Sequence, residues 1–302
     1  MLARDRAGRE VPCFDAQGGA VRFLYGNPFG RVVLRLLIRP WVSRVVGWFL
    51  NRRVSALLIA PFVRRNHIDL TPYEGAPWRC YNAFFCRRIR PDQRPFDTDP
   101  DRLAAPCDGK LTVCRIDEDT RFTVKGTDYT MRTLVRDEGL AASYRGGWLL
   151  LFRLTVDDYH RYSYPADGTV GASVRIPGVF HTVNPVAAAA RPIYKENTRE
   201  YATLHTDRFG DLLLMEVGAM MVGRIVNRPV VGAVHRGEER GHFEFGGSTV
   251  IICVPPGRFT PDADLLKNSA DGAETVVRMG ESVGNANPHA ADREALAATG
   301  VL

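Results

Sequence analysis

Several things are missing from this 302-residue chain. Its six cysteines (Cys13, Cys80, Cys86, Cys107, Cys114 and Cys253) form no C-x-x-C pair, which argues against a zinc site. Their scatter points to reduced thiols and a cytosolic setting. The segment Met1 to Glu10 is charged and has no apolar h-region, so no signal peptide is read there. From Ala16 to Ile68 there is no acidic residue at all. The longest uncharged run in that stretch, Val54 to Val63, has ten residues. A transmembrane helix needs about 20, so a span is rejected there.

What that acid-free stretch does hold is nine arginines: Arg22, Arg31, Arg35, Arg39, Arg44, Arg52, Arg53, Arg64 and Arg65. Apolar residues are threaded between them. From Val21 to Arg65 the pattern is helical, with Arg31, Arg35 and Arg39 recurring every four residues along one face. Pro40 and Pro61 are expected to bend or end helices. Trp41, Trp48 and Phe49 suit a membrane interface, although the same apolar face would also pack on a main domain. Nucleic acid is the weaker partner class, because the arginines alternate with bulky aliphatics rather than stacking aromatics. The reading is a peripheral protein on the cytoplasmic face of an anionic membrane.

At 45% hydrophobic, 25% charged and a net charge of +6, the chain has the composition of globular material, enough for one large domain or two small ones. Residues 1–20 read as a polar tail, and Asn66 to Pro100 as a proline- and arginine-rich connector with one short helix. Beyond residue 100 short apolar runs recur between glycines, prolines and aspartates: Trp148 to Phe152, Leu212 to Val217, Val250 to Val254. This predicts an α+β protein, with basic amphipathic helices followed by a mainly antiparallel β-sandwich or barrel-like core. The boundaries are 1–100 for the helical membrane-associating region and connector, and 101–302 for the β-rich catalytic core. Ala187 to Glu200 reads as a loop or short helix, and the stretch from Asp262 as a polar tail.

One stretch stands out, Gly241 to Val254. Phe243 and Phe245 alternate with His242 and Glu244, then Gly246-Gly247-Ser248-Thr249 interrupts, then a β-branched run follows. Two glycines inside a strand mark a bulge or a close backbone approach. With no side chain on Gly247, its carbonyl is open to the Ser248 hydroxyl. Elsewhere Asp108 lies in the turn Pro106-Cys107-Asp108-Gly109, His160 in Asp157-Asp158-Tyr159-His160-Arg161, and His181 in Pro177-Gly178-Val179-Phe180-His181. Each alone is ordinary turn or hydrogen-bonding chemistry. Together they offer the orienter, base and nucleophile of a triad.

These stretches resemble the phosphatidylserine decarboxylases, which are pyruvoyl enzymes that cleave themselves. The likeness runs from about Phe23 to Val254. It is carried by Phe84 to Pro91, Pro106 to Gly109, Asp158 to Arg161, Pro177 to Asn184, Val217 to Gly223 and Phe245 to Val250, in the family's order. The resemblance implies self-cleavage between Gly247 and Ser248, with Ser248 becoming a covalent pyruvoyl group at the head of a 55-residue chain (302 − 247). The two products would stay together as a heterodimer. The pyruvoyl ketone would act as electron sink for loss of CO2 from phosphatidylserine, giving phosphatidylethanolamine. Asp108 resembles the aspartate of the processing triad, and His160 the histidine implicated in decarboxylation.

There is one departure. Members commonly carry a second histidine, the triad base, three residues after the first, where this chain has Ser163. Either His160 serves both steps, or Asp108 orients His181 and His181 takes the proteolytic one. Two further alternatives stay open: a pyruvoyl decarboxylase for a free amino acid or another serine lipid, and a non-catalytic membrane-binding homologue.

Overall fold

The computed structural model describes residues 2–12, 40–118, 120–124, 127–178, 197–218, 224–244 and 248–288. Its centre is an eleven-stranded sheet, antiparallel except at one pairing. Ser248–Val254 lies in the middle of it, between Gly210–Val217 and Trp148–Leu154. That position explains the sequence of the strand. Both neighbours are hydrogen-bonded and both faces are covered, so all seven residues are buried and β-branched side chains fill both sides.

On one face Val250, Ile252, Leu150 and Phe152 pack with Phe243, Tyr162 and Phe259, side chains supplied by two three-stranded sheets. One of those sheets joins Arg161–Ser163, Glu239–Glu244 and Arg224–Asn227. On the other face Ile251, Cys253 and Met215 meet the helix Met131–Val135. The core is therefore sandwich-like, with no closed barrel among the described residues. Between Glu244 and Ser248 the chain passes from the smaller sheet to the larger. The alternating and the continuous apolar halves of the Gly241–Val254 stretch thus belong to different sheets.

Two expectations need correction. The start of the chain is not a tail: Leu2–Arg4 pairs with Ala273–Val277, Ala3 is buried, and Arg6 binds Asp262 and Asp264. The stretch from Asp262 is structured as well, in the helix Ala263–Ala270 and the strands Ala273–Val277 and Ser282–Ala286. Its apolar residues are sparse, yet Leu265, Val277 and Val283 are spent wholly on the core. The described part of the helical stretch at Pro40 runs Pro40–Leu50, and residues 21–39 lie outside the described residues. Of the predicted loop Ala187 to Glu200, residues 187–196 lie outside the described residues, and Arg199 already belongs to the strand Arg199–Thr206.

The described N-terminal helices, Pro40–Leu50 and Ile59–Arg65, pack with the short helix Tyr81–Phe85. Tyr81, Phe84 and Phe85 lie at i, i+3 and i+4 and make one buried face against Leu50 and Phe62. The outer face is different. Trp48, Phe49, Val54, Leu57 and Leu58 are exposed, beside exposed Arg52, Arg53, Arg64 and Arg65. No helix among the described residues is long and apolar enough to cross a membrane.

Candidate active site

Ser248 opens its strand directly opposite Leu154, the last residue of Trp148–Leu154. From Leu154 the chain reverses through a turn in which Asp158 N donates to Thr155 O at 3.0 Å. The Asp158 carboxylate accepts from Thr155 N at 2.6 Å and from Lys110 Nζ at 2.8 Å. Burial pushes the Asp158 carboxyl above the usual carboxylate range, and Lys110 draws it back. The turn returns the chain to the head of the strand it faced. There His160 Nδ1 lies 3.3 Å from Ser248 Oγ, and both residues are 0% exposed. A strand end, a lysine-tied turn and a second sheet thus bring together two residues 88 apart in sequence.

His160 is fixed from several sides. Its carbonyl accepts from Phe243 N at 2.9 Å. Its ring stacks on Phe85, with centroids 4.0 Å apart and planes at 21°. A buried ion pair spans the two sheets that meet at the site. Arg240 Nε donates to Glu216 Oε1 at 2.8 Å, and Asn227 Nδ2 to Glu216 Oε2 at 2.9 Å. Tyr162 OH donates to Asn227 Oδ1 at 2.8 Å. Glu216 sits opposite Val250, two residues from Ser248 on the same face of the sheet.

Asp108 occupies a different setting from the one its turn suggested. Arg94 grips it with both arms, Nε to Oδ1 at 2.9 Å and Nη2 to Oδ2 at 2.7 Å, and Met279 N donates to Oδ1 at 2.8 Å. The bond to Asp108 raises the already high pKa of Arg94. Ser163 Oγ reaches the sulfur of the same Met279 at 3.7 Å, and Ser163 N donates to Pro106 O at 2.9 Å. Asp108 and Ser163 thus share Met279 as a neighbour, and His160 faces Ser248. His181 and Gly247 lie outside the described residues.

Sequence reading did not single out Arg94, Lys110, Glu216 or Arg240. Glu216 carried a signal, being the one charge inside the apolar run Leu212 to Val217, which otherwise reads as a buried strand.

Comparison with known proteins identifies the family. The family model described as phosphatidylserine decarboxylase matches residues 81–285. A phosphatidylserine decarboxylase proenzyme 2 of Clostridium acetobutylicum is 38% identical over 272 residues, covering 90% of this chain and 93% of the relative. Phosphatidylserine decarboxylase proenzymes of Ruminiclostridium cellulolyticum and Fusobacterium nucleatum are 36% and 35% identical, each over about nine-tenths of both chains. The matched region contains Asp108, His160, Ser163 and Ser248, and on that coverage the chain belongs to the phosphatidylserine decarboxylase family of enzymes.

Proposed function

We propose that this chain is a proenzyme that cleaves itself at Gly247-Ser248 and then decarboxylates phosphatidylserine to phosphatidylethanolamine. The observation that carries the reading is the buried contact of His160 Nδ1 with Ser248 Oγ, at the head of a strand that follows two glycines. A serine hydroxyl is a weak nucleophile without a base, and among the described residues His160 is the imidazole that faces it. His160 takes the hydroxyl proton. Ser248 Oγ adds to the Gly247 carbonyl carbon, the peptide nitrogen leaves as an amine, and an ester replaces the amide. Loss of the Ser248 α-proton expels the Gly247 carboxylate, and hydrolysis of the remaining enamine releases ammonia. His160 thus serves the proteolytic step as well as the later one. Asp108 acts through its ion pair with Arg94, fixing the turn beside Ser163.

The surroundings of Ser248 suit the pyruvoyl group that this chemistry leaves. The strand head is buried, an aromatic ring backs the imidazole, and the strand is held on both edges. Once formed, such a group supplies an electron sink for loss of CO2. His160 remains placed to return a proton to the carbon that CO2 leaves. The 55-residue product would not drift away. Ser248–Val254 lies between two strands of the larger fragment, and Ala273–Val277 between Gly109–Arg115 and Leu2–Arg4. The exposed apolar and arginine-rich face of the N-terminal helices suits an anionic bilayer, where phosphatidylserine resides.

Intact mass measurement of the native protein tests this. Two co-purifying chains are expected, the smaller beginning with a pyruvoyl group, while Ser248→Ala and His160→Ala each stay whole. Wild-type protein found only at full length would refute self-processing. Arrest by His181→Ala with normal cleavage of His160→Ala would move the base to His181. Release of CO2 from phosphatidylserine, but not from free serine, is the expected substrate pattern.

A further inference from the structure

The segment that follows the helix Tyr81–Phe85 is bound to the His160 loop in both directions. Arg87 is buried and directs Nη2 at the carbonyls of Asp157 (3.3 Å) and Asp158 (3.4 Å), just ahead of His160. In return Arg161, just after His160, donates to the carbonyl of Cys86 from Nη2 at 2.7 Å and from Nε at 3.0 Å. Between these two guanidinium–carbonyl links sits the Phe85–His160 stack.

The guanidinium of Arg87 is itself sandwiched, 4.2 Å from the centroid of Tyr73 and 4.9 Å from that of Phe84. Its contacts among the described residues are ring faces, a phenol oxygen and carbonyls, with no carboxylate. A charge buried in this way is an awkward choice if filling space were the whole task, since an apolar side chain does that without desolvating an ion. What a guanidinium adds is direction, because its flat plane is held by the two rings and aims Nη2 at both carbonyls while Nη1 reaches Phe84 O.

We propose that Phe85 and Arg87 are positioning residues for His160. Arg87 sets the backbone that carries the imidazole, and Phe85 holds the plane of the ring, so that Nδ1 stays directed at the head of the Ser248 strand. This rests on the assignment of His160 under the proposed function. It adds that the helical N-terminal region is part of the catalytic apparatus and not only a surface-binding attachment. Geometry of this kind affects a chemical step much more than it affects substrate binding. A misplacement of about 1 Å costs on the order of 10²-fold in rate.

The test is self-cleavage of the full chain in cell-free translation, followed by gel after a chase, with kcat and KM for phosphatidylserine in mixed micelles. Phe85→Leu keeps an apolar side chain and removes the flat ring. It is expected to slow cleavage and lower kcat by roughly 10-fold or more, with KM within about twofold. Phe85→Tyr, which restores the ring, should recover most of both rates. Arg87→Met should behave like Phe85→Leu, and Arg87→Lys should rescue little, because an ammonium has no flat plane to lie between the Tyr73 and Phe84 rings. Cleavage and kcat at wild-type levels in both Phe85→Leu and Arg87→Met would overturn the proposal. So would equal falls in Phe85→Leu and Phe85→Tyr that track only a lowered melting temperature. His160→Ala separates the two ideas. If it cleaves and turns over normally, the role of His160 is wrong. If it is inactive while the Phe85 and Arg87 variants are normal, only the positioning is wrong.

Discussion

Arg240→Met is the most informative single perturbation of the scaffold behind the site. Glu216 and Arg240 are almost wholly buried, and they link the sheet that carries Ser248 to the sheet that carries Arg161 and Tyr162. Methionine fills much of the arginine volume but leaves the Glu216 carboxylate, among the described residues, with only the Asn227 amide, which Glu200 also uses at 2.8 Å. Removing one partner of a buried pair typically costs about 3–5 kcal/mol, because the other charge is stranded. At about 2–4 °C per kcal/mol for a chain somewhat smaller than this one, the melting temperature should fall by roughly 6–20 °C. The measurement belongs in a Ser248→Ala background, where the protein stays one chain and unfolding does not depend on reassociation. The deficit should narrow as pH is lowered and the stranded carboxyl protonates. Replacing both partners, Glu216→Leu with Arg240→Met, should recover most of the loss, since apolar residues of similar volume remove the buried charge altogether. A loss below about 1 kcal/mol for Arg240→Met, the level of an exposed pair, would refute the reasoning.

Two other outcomes follow from charge and exposure. His242 is half-buried, and burial together with the facing Arg161 lowers its pKa below 6.5. The unfolded chain then binds more protons than the native one in that window, so stability is present above pH 6.5 and is lost as pH falls through the lowered value. His242→Gln should flatten the acid side of a urea-midpoint profile, and an unchanged slope would count against it. At the exposed basic face, Arg52→Gln with Arg53→Gln should weaken partition onto phosphatidylserine-containing vesicles by roughly 30-fold, at about 1 kcal/mol per arginine near such a surface. Added salt should weaken the wild type likewise. Equal binding to neutral vesicles in a sedimentation assay would remove the electrostatic argument.

The sequence by itself was enough for whatever depends on neighbouring residues. The β-branched run that follows Ser248 announces a buried strand, because side-chain parity and β preference are local properties. The acid-free block from Ala16 to Ile68 announces a basic apolar surface, and charge counting needs no coordinates. The order of the Asp108, His160 and Ser248 motifs was legible in the same way, and so was the family.

Partners were not legible, because periodicity says which face of an element is buried and nothing about what covers it. Leu2–Arg4 looked like tail because three residues carry no period, yet its sheet partner lies some 270 residues away. That Arg94 lies against both oxygens of Asp108 depends on tertiary structure alone. Phe85 belonged to a motif, but that its ring lies on the ring of His160 depends on packing a helix from the N-terminal third against a loop 75 residues later. The contact of His160 with Ser248 is of the same kind. It exists because a turn tied by Lys110 reverses the chain beside the strand that Ser248 begins, and no stretch of sequence contains both ends of that arrangement.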